Sequence, residues 1–270
     1  MLSHPINEIE RPTEVTLLTA TDLHQNQSLY SDLDKAVARH RPDLVALVGD
    51  FLHAGEDFGG RISIPECANI LSSLPCKDVI FVRGNHEDEN WTDFAKFWKQ
   101  LNRPLYALNG EVFSCGPLCV VGFPCYMGNE TYFLEGRKPL YGASKWLKRL
   151  TKLHGDTMRT LWLLHETPRG TPLSNPDSVV AGNGFWNQAI ERFHPLLTIS
   201  GHDHVTPIQK NQWNHKIGHT TCVNVGQTHF GDLRYCLVHA TFASEQPCLP
   251  VAMTVTAYPM GQTVQLGNIG

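Results

Sequence analysis

Aspartate and histidine recur in short blocks along this 270-residue chain: Asp22-Leu23-His24, Gly49-Asp50, Gly84-Asn85-His86-Glu87, His165, and Gly201-His202-Asp203-His204. Imidazole nitrogens and carboxylate oxygens without thiolates make a donor set for Mn, Fe, Zn or Co rather than for Ca or Cu(I), with manganese and iron foremost. Seven residues are candidate metal ligands: Asp22, His24, Asp50, Asn85, His165, His202 and His204. They are too many for one tetrahedral ion and suit two. Two divalent cations about 3.5 Å apart repel by on the order of 20 kcal/mol even at an effective dielectric near 20, so anionic ligands must offset them. Asp22, a bridging Asp50 and a bridging hydroxide would supply three negative charges against four positive ones. The remaining positive charge would attract a phosphate oxygen and acidify bound water, making hydroxide available near neutral pH.

Each block follows a run that reads as a β-strand. The runs are TEVTLLTA (13–20), DLVALVGD (43–50), DVIFVRGN (78–85), TLWLLHE (160–166) and LLTISGH (196–202). Further strands are expected at 117–123, 220–226 and 234–240, and a final antiparallel strand at 251–258. Helical spacing appears in Leu29, Leu33 and Val37, in Trp91, Phe94, Phe97, Trp98 and Leu101, and over 142–153 with Trp146, Leu147 and Leu150. The βαβ alternation in the first 90 residues predicts an α/β fold with parallel strands and helices on the sheet faces. Ligands in such sheets lie beyond the carboxyl ends of the strands, so five strand ends bearing Asp, Asn and His should converge. Gly49, Gly84 and Gly201 would allow the sharp turns and close approach this needs. The loop 168–184, rich in Pro, Gly, Ser and Asn, reads as an active-site loop rather than a linker.

Bulk properties restrict the alternatives. Hydrophobic content of 41% and charged content of 18% fit a globular chain, which we expect to form one domain over 1–270. A net charge of −4 gives no broad basic face, which disfavours unspecific binding to nucleic acid or to anionic membrane. The N-terminal stretch lacks the features of a signal peptide and no run is long enough to span a bilayer. We therefore expect a cytoplasmic chain with eight reduced cysteines, among which Cys115 and Cys119 read as buried small hydrophobes rather than as a metal clip. Asp203 is expected to turn from the metals into loop hydrogen bonds. His215, His219, His229 and His239 share no metal spacing with the other blocks and read as surface or core histidines.

Taken together, Asp22-x-His24, Gly49-Asp50, Gly84-Asn85-His86-Glu87, His165 and Gly201-His202-x-His204 resemble the full signature of the calcineurin-like metallophosphoesterases. The resemblance spans 22–204 and extends to VNVG (223–226). It implies two packed mixed β-sheets flanked by helices. It further implies that Asp22, His24 and His204 hold one metal, that Asn85, His165 and His202 hold the other, and that Asp50 bridges them. A metal-bridging hydroxide would attack phosphorus in line, and His86 would be the catalytic residue beside the phosphoryl group. HETPRG (165–170) resembles the H-x-P-P-x-G segment of small phosphodiesterase-like members, with Thr167 in place of the first proline. VNVGQ resembles their N-x-G-S stretch, with Gln227 where serine is usual. GDFLH departs from the G-D-x-x-D-R of Ser/Thr protein phosphatases, because His53 stands where aspartate would partner the catalytic histidine. His53, Glu87 and Arg169 are candidates for a supporting or substrate-contacting role, and Arg169 suits a phosphate oxygen. The implied activity is hydrolysis of a small phosphodiester such as a cyclic nucleotide. The alternatives are a phosphomonoesterase on nucleotides or phosphoproteins and, from another class, a non-catalytic scaffold of the same fold.

Overall fold

The computed structural model describes residues 13–54, 59–87, 89–125, 160–177, 181–244 and 249–266. The helix expected over 142–153 lies outside the described residues. In the first half, β1 (Thr13–Ala20), α1 (Gln27–His40), β2 (Leu44–Val48), α2 (Ile64–Ser73), β3 (Asp78–Val82), α3 (Trp91–Trp98) and β4 (Tyr106–Leu108) form a parallel βαβαβαβ run. Strands β5 (Val112–Cys115), β6 (Leu118–Phe123), β7 (Thr160–Leu164) and β8 (Leu197–Ile199) follow, with α4 (Gly184–Phe193) before β8 and the short α5 (Thr206–Gln209) after it. The chain ends in β9 (Asn214–Ile217), β10 (Thr220–Val223), β11 (Tyr235–Phe242), β12 (Pro250–Tyr258) and β13 (Gln262–Leu266).

These strands build two mixed sheets. One has seven strands in the order β13-β12-β11-β1-β2-β3-β4, and the other six in the order β5-β6-β7-β8-β10-β9. Strands β6, β7, β8 and β10 run parallel, with β5 and β9 antiparallel at the two edges. The apolar strands are buried on both faces, so successive residues serve different layers. Leu17, Ala46 and Val48 face the other sheet and meet Val120, Leu163 and Ile199, whereas Leu18, Val45 and Leu47 pack against the helices. Helices α1 to α3 cover the outer face of the first sheet with Leu33, Val37, Leu71, Phe94 and Trp98. Helix α4 covers the outer face of the second, where Trp186 and Ile190 meet Phe123 and Trp162. The result is a helix–sheet–sheet–helix sandwich. Among the described residues no helix is long and apolar enough to cross a membrane.

The nine strands read from the sequence are all present. Those leading into the Asp and His blocks stop short of their apolar runs, so Asp50, Asn85 and His202 sit in loops just past the strand ends. Helix α2 was not anticipated. It starts with a reciprocal capping box, in which Ser63 accepts from the Glu66 amide and Glu66 accepts from the Ser63 amide. The short strands β4, β5, β9 and β13 were also missed.

Leu163 is fully buried between the sheets. Leu163→Ala should lower unfolding free energy by about 2–5 kcal/mol, read as a lower urea midpoint at unchanged slope. A loss below about 1 kcal/mol would show that the sheets close over the deletion.

Candidate metal centre

The Asp and His blocks meet at one edge of the sandwich, beyond the carboxyl ends of β1, β2, β3, β7 and β8. Bringing them together forces the backbone into unusual conformations. Asp22, His24, Asp50 and His202 all have positive φ, at 55°, 45°, 51° and 67°. Three glycines make the approach possible, and a Cβ on the first, Gly49, would strike the His165 ring. A Cβ on Gly84 would strike the Asp50 carboxylate, and one on Gly201 would strike the Thr21 hydroxyl and the Asp22 carboxylate.

Two donor groups result. Asp22, His24, Asp50 and His204 each present one ligand atom within 4.8 Å of the others, and so do Asp50, His165 and His202. Asp50 belongs to both. Its Oδ2 lies 3.3 Å from His165 Nε2 and 4.0 Å from His24 Nε2. Asn85 joins the second group, with Oδ1 3.2 Å from His165 Nε2. His204 Nε2 is 3.4 Å from Asp22 Oδ1 and 3.4 Å from His24 Nε2. The tautomers suit ligation: His165 Nδ1–H donates to the Val48 carbonyl at 3.0 Å, which leaves Nε2 as the donor atom. His24 Nδ1 is likewise engaged, at 3.1 Å from His53 Nδ1.

The electrostatics fit cations. Asp22 and Asp50 are almost completely buried, and among the described residues their ion-pair partners are histidines. Burial pushes Asp50 upward, but His165, His24 and His86 together outweigh it and leave the carboxyl below its usual range. Burial would also lower His165, yet Asp50 and Asp22 prevail and raise it to about 10. Where the carboxylates pull less, burial dominates. It lowers His24 to about 3 and His202 to about 4, so both rings are neutral at pH 7, whereas His165 and His204 would give up a proton when a cation takes over the carboxylates' pull.

A shell of hydrogen bonds holds these donors. The His202 amide donates to both Asp22 oxygens, at 3.2 and 3.1 Å, and the His86 amide donates to Asp50 Oδ1 at 2.9 Å. Glu87 is fully buried behind Asp50 and accepts from the amides of Asp50 (2.9 Å), Gly84 (2.6 Å) and Leu52 (2.8 Å). It therefore joins the loops after β2 and β3 and does not face the cavity. Thr167, at the position where the resemblance expects proline, donates to the Gly201 carbonyl at 2.8 Å. Asn224 of the VNVG stretch donates to that carbonyl and to the Asp203 carbonyl, both at 3.2 Å, fixing the GHDH loop from below. His86 Nδ1 lies 3.0 Å from the Ala54 carbonyl oxygen, so a backbone group takes the place of a carboxylate partner. Its ring stacks on His53, with centroids 4.8 Å apart.

Five of the donors, His24, Asp50, Asn85, His202 and His204, line an open cavity of about 790 Å³ together with His53, His86, Asn175 and His229, while Asp22 and His165 lie behind them. Asn175 comes from the 168–184 loop, in keeping with the reading of that loop. Asp203 accepts from the amides of Thr206 (2.9 Å), Val205 (3.2 Å) and Asn175 (2.9 Å), the loop role expected of it. Arg169 is exposed and does not belong to the cavity lining, because the loop turns outward there. His219 and His239 are exposed as expected, but His229 is not a bystander. Its ring centroid lies 4.5 Å from that of His24 and 4.7 Å from that of His204. The seven described cysteines are free thiols, and among the described residues none joins a metal-holding group.

Glu87→Gln would set an NH2 donor against a backbone N–H. It should cost about 2 kcal/mol of stability and lower metal affinity about tenfold or more. Equilibrium unfolding and Mn²⁺ titration measure the two effects, and an unchanged affinity would remove Glu87 from the support of Asp50.

Comparison with known proteins agrees with this architecture. No curated sequence matches the chain. Among solved structures, TT1561 of Thermus thermophilus superposes with a TM-score of 0.60 at 15% identity, covering 96% of this chain and 100% of that one. A dimetal phosphatase from Danio rerio gives 0.56 at 12% identity, covering 93% and 98%. GAP50, the anchor in the inner membrane complex of Plasmodium, gives 0.52 at 12%, covering 95% and 89%. These likenesses establish the fold. The model of the calcineurin-like phosphoesterase family matches residues 15–206, a segment that holds every donor described above, and the chain belongs to that family.

Proposed function

We propose that this protein hydrolyses a small phosphodiester, with cyclic nucleotides among the candidates, using two metal ions of which manganese and iron suit the donors best. Asp22, His24 and His204 would hold one ion, Asn85, His165 and His202 the other, and Asp50 both. When bound, the metal pair supplies Lewis acidity and lowers the pKa of water, so that a nucleophile is available near neutral pH.

The observation that carries the diester reading is the lining of the cavity. Among the described residues that lining contains no lysine or arginine: Arg169, a candidate for a phosphate contact, lies outside it, and Arg61 lines a separate small recess beside His24 and His229. A terminal phosphate carries two charges and is commonly gripped by such cations. A diester carries one and needs room on both sides of phosphorus, which about 790 Å³ provides. His86 stands at the rim of the donor groups, edge-on to His24 at 4.8 Å. Its Nδ1 faces the Ala54 backbone, 3.0 Å from the carbonyl oxygen and 3.3 Å from the amide nitrogen, so Nε2 is the nitrogen available to a phosphoryl oxygen. When protonated there, it hands a proton to the leaving ester oxygen as the P–O bond breaks and water adds to phosphorus.

The manganese-loaded protein should cleave bis-p-nitrophenyl phosphate faster than p-nitrophenyl phosphate. A strong monoester preference would replace this reading with a phosphomonoesterase. His86→Ala should lower kcat by about 10²–10⁴ with both metals still bound, and a metal-free His86→Ala protein would show that the role is misassigned. Asp50→Asn should weaken both metals and abolish turnover, as metal analysis and the same assay would show.

A further inference from the structure

We propose that His229 is a fifth protein ligand to the ion held by Asp22, His24, Asp50 and His204. This rests on the reading of those four residues as ligands. One ring nitrogen from each of His24, His204 and His229 lies within 4.8 Å of the other two; His24 and His204 also belong to the group with Asp22 and Asp50, so His229 approaches the ion from the side of the two histidines and not of the carboxylates. The rings of His24 and His204 are 4.5 and 4.7 Å from that of His229, closer than the 5.1 Å that separates them from each other.

A competing trio, His24, His53 and His86, also places its nitrogens within 4.8 Å. There, however, His24 Nδ1 is already engaged with His53 Nδ1. The nitrogen left to ligate is Nε2, which points to His204 and Asp50. His229 belongs to that side. Its backbone is fixed: Asn26 Nδ2 donates to the His229 carbonyl at 2.8 Å, and Asn26 Oδ1 caps α1 through the amides of Ser28 and Leu29. Upstream, the Gly226 amide donates to Asn224 Oδ1 at 2.9 Å, and Gln227 Oε1 accepts from the Arg234 amide. The imidazole is thus delivered by a stitched loop. A fifth protein donor changes which ion fits, because five ligands exceed the four of tetrahedral zinc and suit the larger coordination number of manganese or iron.

The test is Mn²⁺ titration of the chelator-stripped full chain by calorimetry. The wild type should bind two ions. His229→Ala should weaken one of them at least tenfold and leave the other unchanged, while His219→Ala, an exposed histidine, should match the wild type. Unchanged affinities in His229→Ala overturn the proposal even if turnover falls, since the ring would then serve the substrate. A wild type that binds no Mn²⁺ overturns the metal reading itself. A readout without any variant covers the case in which His229→Ala fails to fold. Carbethoxylation of His229 by diethyl pyrocarbonate, mapped by mass spectrometry, should slow at least tenfold in the Mn²⁺-loaded wild type, and equal rates with and without Mn²⁺ would also overturn the assignment.

Discussion

Asp22, Asp50 and Glu87 are three carboxylates at 0–1% exposure, gathered where the strand ends of both sheets meet. An isolated charge in such a place is costly, and it is tolerated when paired, fully hydrogen-bonded or neutralised. The three meet that constraint differently. Glu87 takes three backbone amides on its two oxygens, which oppose the upward push of burial and of the neighbouring Asp50. Asp22 and Asp50 each keep oxygens turned toward imidazoles rather than toward lysine or arginine. Positive charge is needed at the points those oxygens and nitrogens share, which is why His165 and His204 are raised against the effect of burial. Divalent cations meet the same need with far greater charge, and the rest of the site can be understood as the scaffold that keeps these donors pointed inward.

That scaffold is strained. Left-handed backbone at non-glycine residues costs on the order of 1–3 kcal/mol each, and Asp22, His24, Gln25, Asp50 and His202 all adopt it. Compensation comes from the loop after β1 lying along the loop after β2. The amides of Asp22, His24 and Gln25 donate in turn to the carbonyls of Gly49, Asp50 and Phe51, at 3.0, 2.8 and 3.1 Å. Each bond satisfies a group that would otherwise be buried without a partner. The bulk of the two sheets supplies the stability that lets such loops persist.

Most of the architecture was readable from periodicity, because parallel strands buried on both faces leave continuous apolar runs that end abruptly in polar blocks. The convergence of Asp22, Asp50, Asn85, His165 and His202 followed from one rule about strand ends. The same rule, applied to the strand leading to VNVG, would have reached Asn224 and the loop carrying His229, since β10 runs parallel to β8 and ends beside it. Sequence spacing hid this: 25 positions separate His204 from His229, and only the pairing of β10 with β8 brings them together. Helix α2 carried a capping box that could have been noticed, whereas β4, β5 and β9, of three or four residues, are too short for a pattern to stand out, and the exposed polar β13 lacks an apolar run. The direction of Arg169 depends on how one loop turns, and side-chain type alone does not encode that. Thr167 shows the reverse case, where a departure from a familiar motif brings a hydrogen bond to the GHDH loop that a proline could not make.

A fold does not by itself confer chemistry, and proteins sharing this sandwich include both a dimetal phosphatase and an anchor. The distinction lies in what the structure spends on the site. A protein that used the sandwich only as a binding platform would gain nothing from burying three carboxylates together or from holding four donor residues in left-handed backbone. Apolar residues and ordinary turns at those positions would be more stable, as replacement of buried ion pairs generally shows. Here the unfavourable choices coincide in space, share hydrogen bonds and open onto a cavity. Stability has been given up at the point where cations and a phosphoryl group would meet, and that concentration of cost argues for catalysis rather than for a scaffold.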